Sequence, residues 1–366
     1  MATSKKTTSK FAASNAMLSM QQCIDLISNV GDKVTVLVQG DMGSGKTSLL
    51  KEIAKKLNMR GVYFDCTTKD LGDLYIPRFT DTEGGDYVSF VPNEEFGMHF
   101  NQPIVLMLDE LGKNRSILNG LLRVMQEHSV GSRPLPPGSI VFATTNLGAE
   151  NVGDMLPPHA RNRIMVVRMR KPSFDEWLNW AAPAGVDPAL IVGVREFPDM
   201  LSSFTDVENP QDNTYIYDPR DASRTAFVTP RSLEKASDVL KCREFLGDEV
   251  VLMGMIGLIG AKAAHDIMTM VTLGDTLPKY VDIVAAPDKV KVPTGIGAQI
   301  MSALTCMQRA EAEDFTAAFT YIKRMPMEIQ ALFANQLMKS SSKALWVSRN
   351  ATFTEFARKN FNLFTQ

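Results

Sequence analysis

The sequence is poor in the features that most readily announce a function. Its four cysteines (Cys23, Cys66, Cys242, Cys306) lie far apart with no paired spacing. That excludes a disulfide framework or a cysteine zinc site and suits a reducing compartment. The four histidines, His99, His128, His159 and His265, form no i, i+4 pair and have no neighbouring acidic motif for zinc. No Ser–His–Asp order and no paired thiols point to nucleophilic catalysis. The longest apolar run, residues 250–261, stops at Lys262 and is too short for a hydrocarbon core. An excess of one charge is missing too. A net charge of -2 over 366 residues leaves no global basic field, so nucleic acid is not the expected partner. The opening MATSKKTTSK has neither acid nor arginine, and residues 1–15 are expected to form a solvated tail rather than an Arg-rich transit peptide. No internal repeat and no other low-complexity tract occurs.

What is present is an alternation. With 45% hydrophobic residues the chain can fill the cores of two or three domains. Its first half carries short, branched, apolar segments: VTVLV (34–38), GVYFD (61–65), PIVLMLD (103–109), SIVFATT (139–145) and IMVVRM (164–169). Strands buried on both faces of a parallel sheet read this way. Between them Leu49, Leu50, Ile53, Ala54 and Leu57 recur at helical spacing, as do Ile117, Leu118, Leu121, Leu122 and Met125. The alternation predicts an α/β fold with a doubly wound parallel sheet over residues 16–170. Beyond it a mostly helical region is expected at 171–272, with a polar loop at 206–230. An irregular stretch at 273–292 and further helices make up 273–366. Gly254, Gly257 and Gly260 are expected in a soft buried helix. Phe353, Phe356, Phe361 and Phe364 are expected to pack into a core.

The stretch GDMGSGKT (40–47) follows the first strand and opens the first helix, and it fits G-x-x-x-x-G-K-[ST]. Gly40, Gly43 and Gly45 let the backbone turn N–H groups inward around phosphate oxygens, and the helix N-terminus faces the same anion. Residues Gly40, Asp41, Met42, Gly43, Ser44, Gly45, Lys46, Thr47 and Ser48 are therefore the expected nucleotide cradle. In it Lys46 reaches the β- and γ-phosphates and the Thr47 hydroxyl ligates Mg²⁺. PIVLMLDE ends a strand on two carboxylates. Asp109 is placed to hold Mg²⁺, and Glu110 to orient or deprotonate the attacking water. Asn146 ends another strand, where its amide can position that water or touch the γ-phosphate. Arg161 and Arg163 precede the last strand and read either as surface arginines or as a cation offered to a neighbouring subunit's nucleotide.

Taken together, GDMGSGKT, LMLDE, FATTN, LPPHARNRI and AFVTPRSLEKAS (226–237) resemble the MoxR-like, dynein-related branch of AAA+ ATPases, of bacterial or phage type. LLRVMQEHSV resembles that branch's helix after the acids, and FDCTTKDLGDL its stretch between the second strand and the helix that follows. The resemblance implies an AAA+ core with a helical lid, ATP and Mg²⁺ as ligands, and hydrolysis of ATP to ADP and phosphate. It implies a homo-oligomeric ring, usually hexameric, with ATP bound between subunits. Arg163 takes the place of the family's finger arginine, with Arg161 the alternate. Arg231 matches the lid arginine called sensor 2, and Thr67 or Thr68 falls near a polar switch beside Glu110. The sequence departs at Ile164, where an aromatic is common, at Gly112 and Lys113, where Asn–Arg is usual, and at Leu233, where phage and bacterial members often have Trp. The implied activity is chaperone-like remodelling of a protein client in the cytoplasm (a host cytoplasm if viral), and relatives commonly work beside von Willebrand factor A-domain proteins. The alternatives are a nucleic-acid motor or replication/packaging ATPase, and a scaffold gated by nucleotide that turns over slowly.

Overall fold

The structure, a computed structural model, describes residues 16–81, 85–111, 115–146 and 162–360. Arg161, Gly112, Lys113, His159, Phe361 and Phe364 lie outside them. The chain divides into two compact units, Met1–Lys171 and Pro172–Gln366.

The strands of the first unit are β1 (Val36–Gly40), β2 (Arg60–Asp65), β3 (Tyr75–Thr80), β4 (Tyr87–Pro92), β5 (Ile104–Asp109), β6 (Ser129–Val130), β7 (Arg133–Pro134), β8 (Ile140–Asn146) and β9 (Met165–Met169). Five of them form one sheet in the order β2–β5–β8–β1–β9, every pairing parallel. Helices α1 (Met20–Val30) and α2 (Ser48–Leu57) cover one face, where Cys23, Ile27, Leu49 and Ile53 pack on Val36, Val38, Val105 and Met107. Helix α3 (Arg115–Glu127) covers the other, where Ile117 and Leu121 pack with Leu37, Leu106 and Leu108. Successive residues of β5 thus enter opposite cores, which is why its sequence is apolar without alternation. This is the doubly wound α/β architecture expected from the sequence.

Several local readings are corrected. The first strand begins at Val36, not Val34, because the Val34 N–H donates back to Val30 O (2.9 Å) and the Thr35 hydroxyl donates to Met125 O (2.6 Å). Helix α1 was not among the expected segments; Ser19 and Gln22 close a capping box at its start. The segment after β2, read by resemblance as leading to a helix, instead makes a short 3₁₀ turn (Leu71–Asp73) and the antiparallel β3–β4 hairpin. The branched or aromatic residues Ile76, Phe79, Val88 and Phe90 favour extended chain there, and a two-stranded ribbon tolerates Pro77.

The second unit is helical and holds one core running from Trp177 to Phe356, to which residues 171–272 and 273–366 both contribute. Its helices begin with Phe174–Ala181 and Pro188–Glu196, and no regular helix or strand intervenes between Leu201 and Pro230. That loop is ordered by Arg224, which donates to the carbonyls of Asn213 (2.8 Å) and Ile216 (2.9 Å). After the Pro230–Lys241 helix, Arg243–Ile259 carries the GMIGLIG stretch. It is half exposed rather than buried: Val251, Met255 and Ile259 face the core, while Gly257 meets nothing within 4 Å. The stretch expected to be irregular contains the helix Tyr280–Ala285. Phe353 and Phe356 are buried. Among the described residues no helix is long and apolar enough to cross a membrane.

Candidate functional site

Parallel strands end on one edge, so whatever follows β1, β5, β8 and β9 is gathered there. Gly40 lies in register with both Asn146 and Met169. A Cβ at Gly40 would come within 3.2 Å of Met169 O and of Ser44 Oγ, so the close approach of the turn to β9 favours glycine. Gly43 (φ 66°) and Gly45 (φ 94°) take left-handed conformations that bend the turn into α2.

Lys46 is buried and curls back over this turn. Its ammonium donates to Gly40 O (2.9 Å), Asp41 O (2.8 Å) and Asn146 Oδ1 (2.7 Å). The amide nitrogen of Asn146 donates to both carboxylate oxygens of Glu110, at 2.9 and 3.1 Å. One neutral side chain therefore spans the lysine and the acid. Glu110 itself sits at φ 55°, a left-handed conformation unusual for a residue with a Cβ, at the point where the chain leaves β5.

Asp109 is buried at the end of β5, and three donors fix it. The Thr144 hydroxyl and the Glu110 N–H (3.1 Å) reach Oδ1, and the Tyr63 hydroxyl reaches Oδ2 (3.0 Å). Desolvation and the Asp109 carboxylate push the Tyr63 phenol above its ordinary range, which keeps it a donor. Burial, reinforced by Asp109, Asp65 and Glu110, likewise raises the Cys66 thiol, so it is no nucleophile.

The turn fits a polyphosphate. Ser44 Oγ is buried in it without a hydrogen-bond partner, as a group does whose acceptor or donor comes from outside the chain. The Thr47 hydroxyl is exposed at the start of α2 and makes no capping bond. Together with the Asp109 carboxylate it offers hard oxygen donors of the kind Mg²⁺ takes when phosphates and water complete its shell. Among the described residues no cluster of three His, Cys, Asp or Glu could hold a metal by itself.

The structure thus brings Gly40–Thr47, Asp109, Glu110 and Asn146 together. The expected finger arginine is not among them. Arg163 is exposed and donates to Gln126 near the end of α3 (2.9 Å). Arg231 is exposed at the second position of the Pro230–Lys241 helix, in the second unit. Thr67 is turned to Asp65, which accepts from its N–H (2.9 Å) and hydroxyl (2.7 Å). Tyr63, Thr144 and Lys171 were missed. Lys171 is buried against Asp41 (3.3 Å), and only the strand order, not spacing along the chain, could have found it.

A family model described as "ATPase family associated with various cellular activities (AAA)" matches residues 36–171, the stretch that contains this sheet edge. No curated protein matches the chain. Among solved structures, NtrX from Brucella abortus in complex with ATP is 13% identical, with a TM-score of 0.36 over 95% of this chain and 69% of that one. The Thermotoga maritima RuvB Holliday junction branch migration motor is 15% identical, with a TM-score of 0.35 over 83% of this chain and 86% of that one.

Proposed function

We propose that the AAA domain of residues 36–171 hydrolyses ATP and that a ring of these chains uses the reaction to remodel a protein client. The observation that carries the first half is the Lys46–Asn146–Glu110 bridge at the sheet edge, beside a three-donor cradle for Asp109. Lys46 exchanges its carbonyl and amide acceptors for the β- and γ-phosphate oxygens, and Ser44 and the turn's backbone hold the rest of the chain of phosphates. Glu110, oriented by Asn146, accepts the proton of the attacking water. Thr47 and Asp109 would hold Mg²⁺, which would supply neutralising charge at the phosphates.

Because three groups aim Asp109, removing one should show first in metal dependence. Thr144→Val keeps the shape of the side chain and deletes its donor. It should raise the Mg²⁺ concentration for half-maximal ATPase activity roughly 10-fold or more, as loss of an outer-shell partner does. An unchanged Mg²⁺ titration would remove Thr144 from this role.

The ring is supported by the family resemblance, and Arg163 is exposed, as a cation offered to a neighbour's nucleotide has to be. Arg163→Ala should retain nucleotide binding and lose turnover by about 10³-fold, within the range for arginine fingers. Mixing it with Glu110→Gln chains should restore part of the activity, since some interfaces then combine an intact finger with an intact acid. Full activity of Arg163→Ala alone would remove it as the finger; absence of rescue would count against a shared site. The role of Arg231 and a von Willebrand factor A-domain partner rest on the resemblance. Stimulation of the ATPase by duplex DNA with a steep salt dependence would redirect the client from protein to nucleic acid.

A further inference from the structure

The pair Asp41–Lys171 is not used by the chemistry above, yet it is the most deeply buried ion pair among those described in the first unit. Its side chains are 3% and 4% exposed, with Lys171 Nζ 3.3 Å from Asp41 Oδ2. Two charges removed from water gain little or nothing in net stability over apolar side chains of the same size. Stability therefore does not account for the pair, and its position suggests what does.

Asp41 is the second residue of the phosphate turn and joins it to Lys171. Its carbonyl accepts from Lys46 (2.8 Å), its Oδ1 accepts from the Met42 N–H (2.7 Å), and its Oδ2 faces Lys171. Whatever fixes the Asp41 carboxylate also fixes the carbonyl on which Lys46 rests. Lys171 in turn follows a strand end that is held on both sides. Met169 lies in register with Gly40, and the Arg170 N–H donates to Leu18 O (3.0 Å). Pro172 comes next, which confines the Lys171 backbone to extended conformations.

We propose that Lys171 is a positioning residue for nucleotide binding: through Asp41 it holds the phosphate turn, and with it Lys46, in register with the end of β9. The inference rests on reading residues 40–47 as the phosphate turn. It assigns a function to a lysine outside every motif of the sequence. The pair's effect falls on affinity, because it orients the cradle and not the attacking water.

The test uses the full chain with Lys171→Met, Lys171→Arg, Asp41→Asn and the double neutral variant Asp41→Asn/Lys171→Met. The readouts are the Kd for a fluorescent ADP analogue, steady-state KM and kcat, and thermal unfolding without nucleotide. Lys171→Met should raise Kd and KM about 10-fold and leave kcat within about two-fold, as loss of orientation at a binding site does. Lys171→Arg should restore most of the affinity. The double variant should bind no worse than either single variant, since the two changes remove one coupling. Wild-type Kd in a folded Lys171→Met chain overturns the proposal. So does a rise in Kd and KM accompanied by a fall in unfolding temperature that Lys171→Arg fails to rescue, which marks a merely structural pair. If Lys171→Met does not fold, the double variant, which buries no lone charge, decides: wild-type affinity in it is equally fatal. Lys46→Ala separates the two readings. Undiminished binding in Lys46→Ala removes the phosphate turn itself, whereas a defect there beside a normal Lys171→Met removes only the positioning role.

Discussion

Replacing Lys46 with alanine is expected to weaken nucleotide binding by at least about 100-fold, the scale of losing a desolvated charge from a polar contact. The ammonium is buried and already oriented, with Gly40 O, Asp41 O and Asn146 Oδ1 between 2.7 and 2.9 Å away. A phosphate group therefore meets a cation whose rotamer entropy has been spent on folding. The variant also takes a charged donor away from two carbonyls and an amide oxygen. Loss of affinity should accordingly appear with a modest drop in unfolding temperature. Equilibrium binding of a fluorescent ATP analogue measures the first effect and calorimetry the second. Undiminished affinity would show that residues 40–47 hold something other than a polyphosphate.

Glu110→Gln should separate binding from turnover. Glutamine keeps the length and one oxygen that can accept from Asn146, so the bridge to Lys46 loses one of two contacts (2.9 and 3.1 Å) and its geometry survives. What disappears is the proton acceptor, a contribution of about 10²- to 10⁴-fold in rate. The variant should bind ATP as the parent does and release phosphate at least about 100-fold more slowly. In a ring it should accumulate ATP-loaded assemblies, visible as retained radiolabelled ATP after gel filtration. Parental turnover would exclude Glu110 as the base.

The sheet was legible because burial on both faces leaves a plain record. IVLMLD is apolar through five residues and then acidic, so both the strand and the place where its chemistry begins can be read from the letters alone. GDMGSGKT was legible for a related reason, since every position of a phosphate turn is constrained by backbone geometry. Thr144 and Tyr63 were not legible. They reach Asp109 from 35 and 46 residues away along the chain, and a threonine and a tyrosine inside apolar strands look like any others. Lys171 was hidden for the same reason, because only the β1–β9 pairing puts it beside the phosphate turn. The β3–β4 hairpin was not among the expected strands, because Pro77 and the polar residues Arg78, Thr80 and Ser89 break up its segments, which lack the continuous apolar run of the buried sheet.

The left-handed backbone at Glu110 sets local comfort against chemistry. An L-residue at φ 55° sits about 1 kcal/mol above the same turn made by glycine. A glycine at this position would relax the turn and discard the carboxylate in one step. Sturdiness and activity therefore pull in opposite directions at this single codon. A thermostability screen scored on melting alone would enrich handsome, inert chains here, and any engineering of the protein has to hold residue 110 fixed or select on turnover.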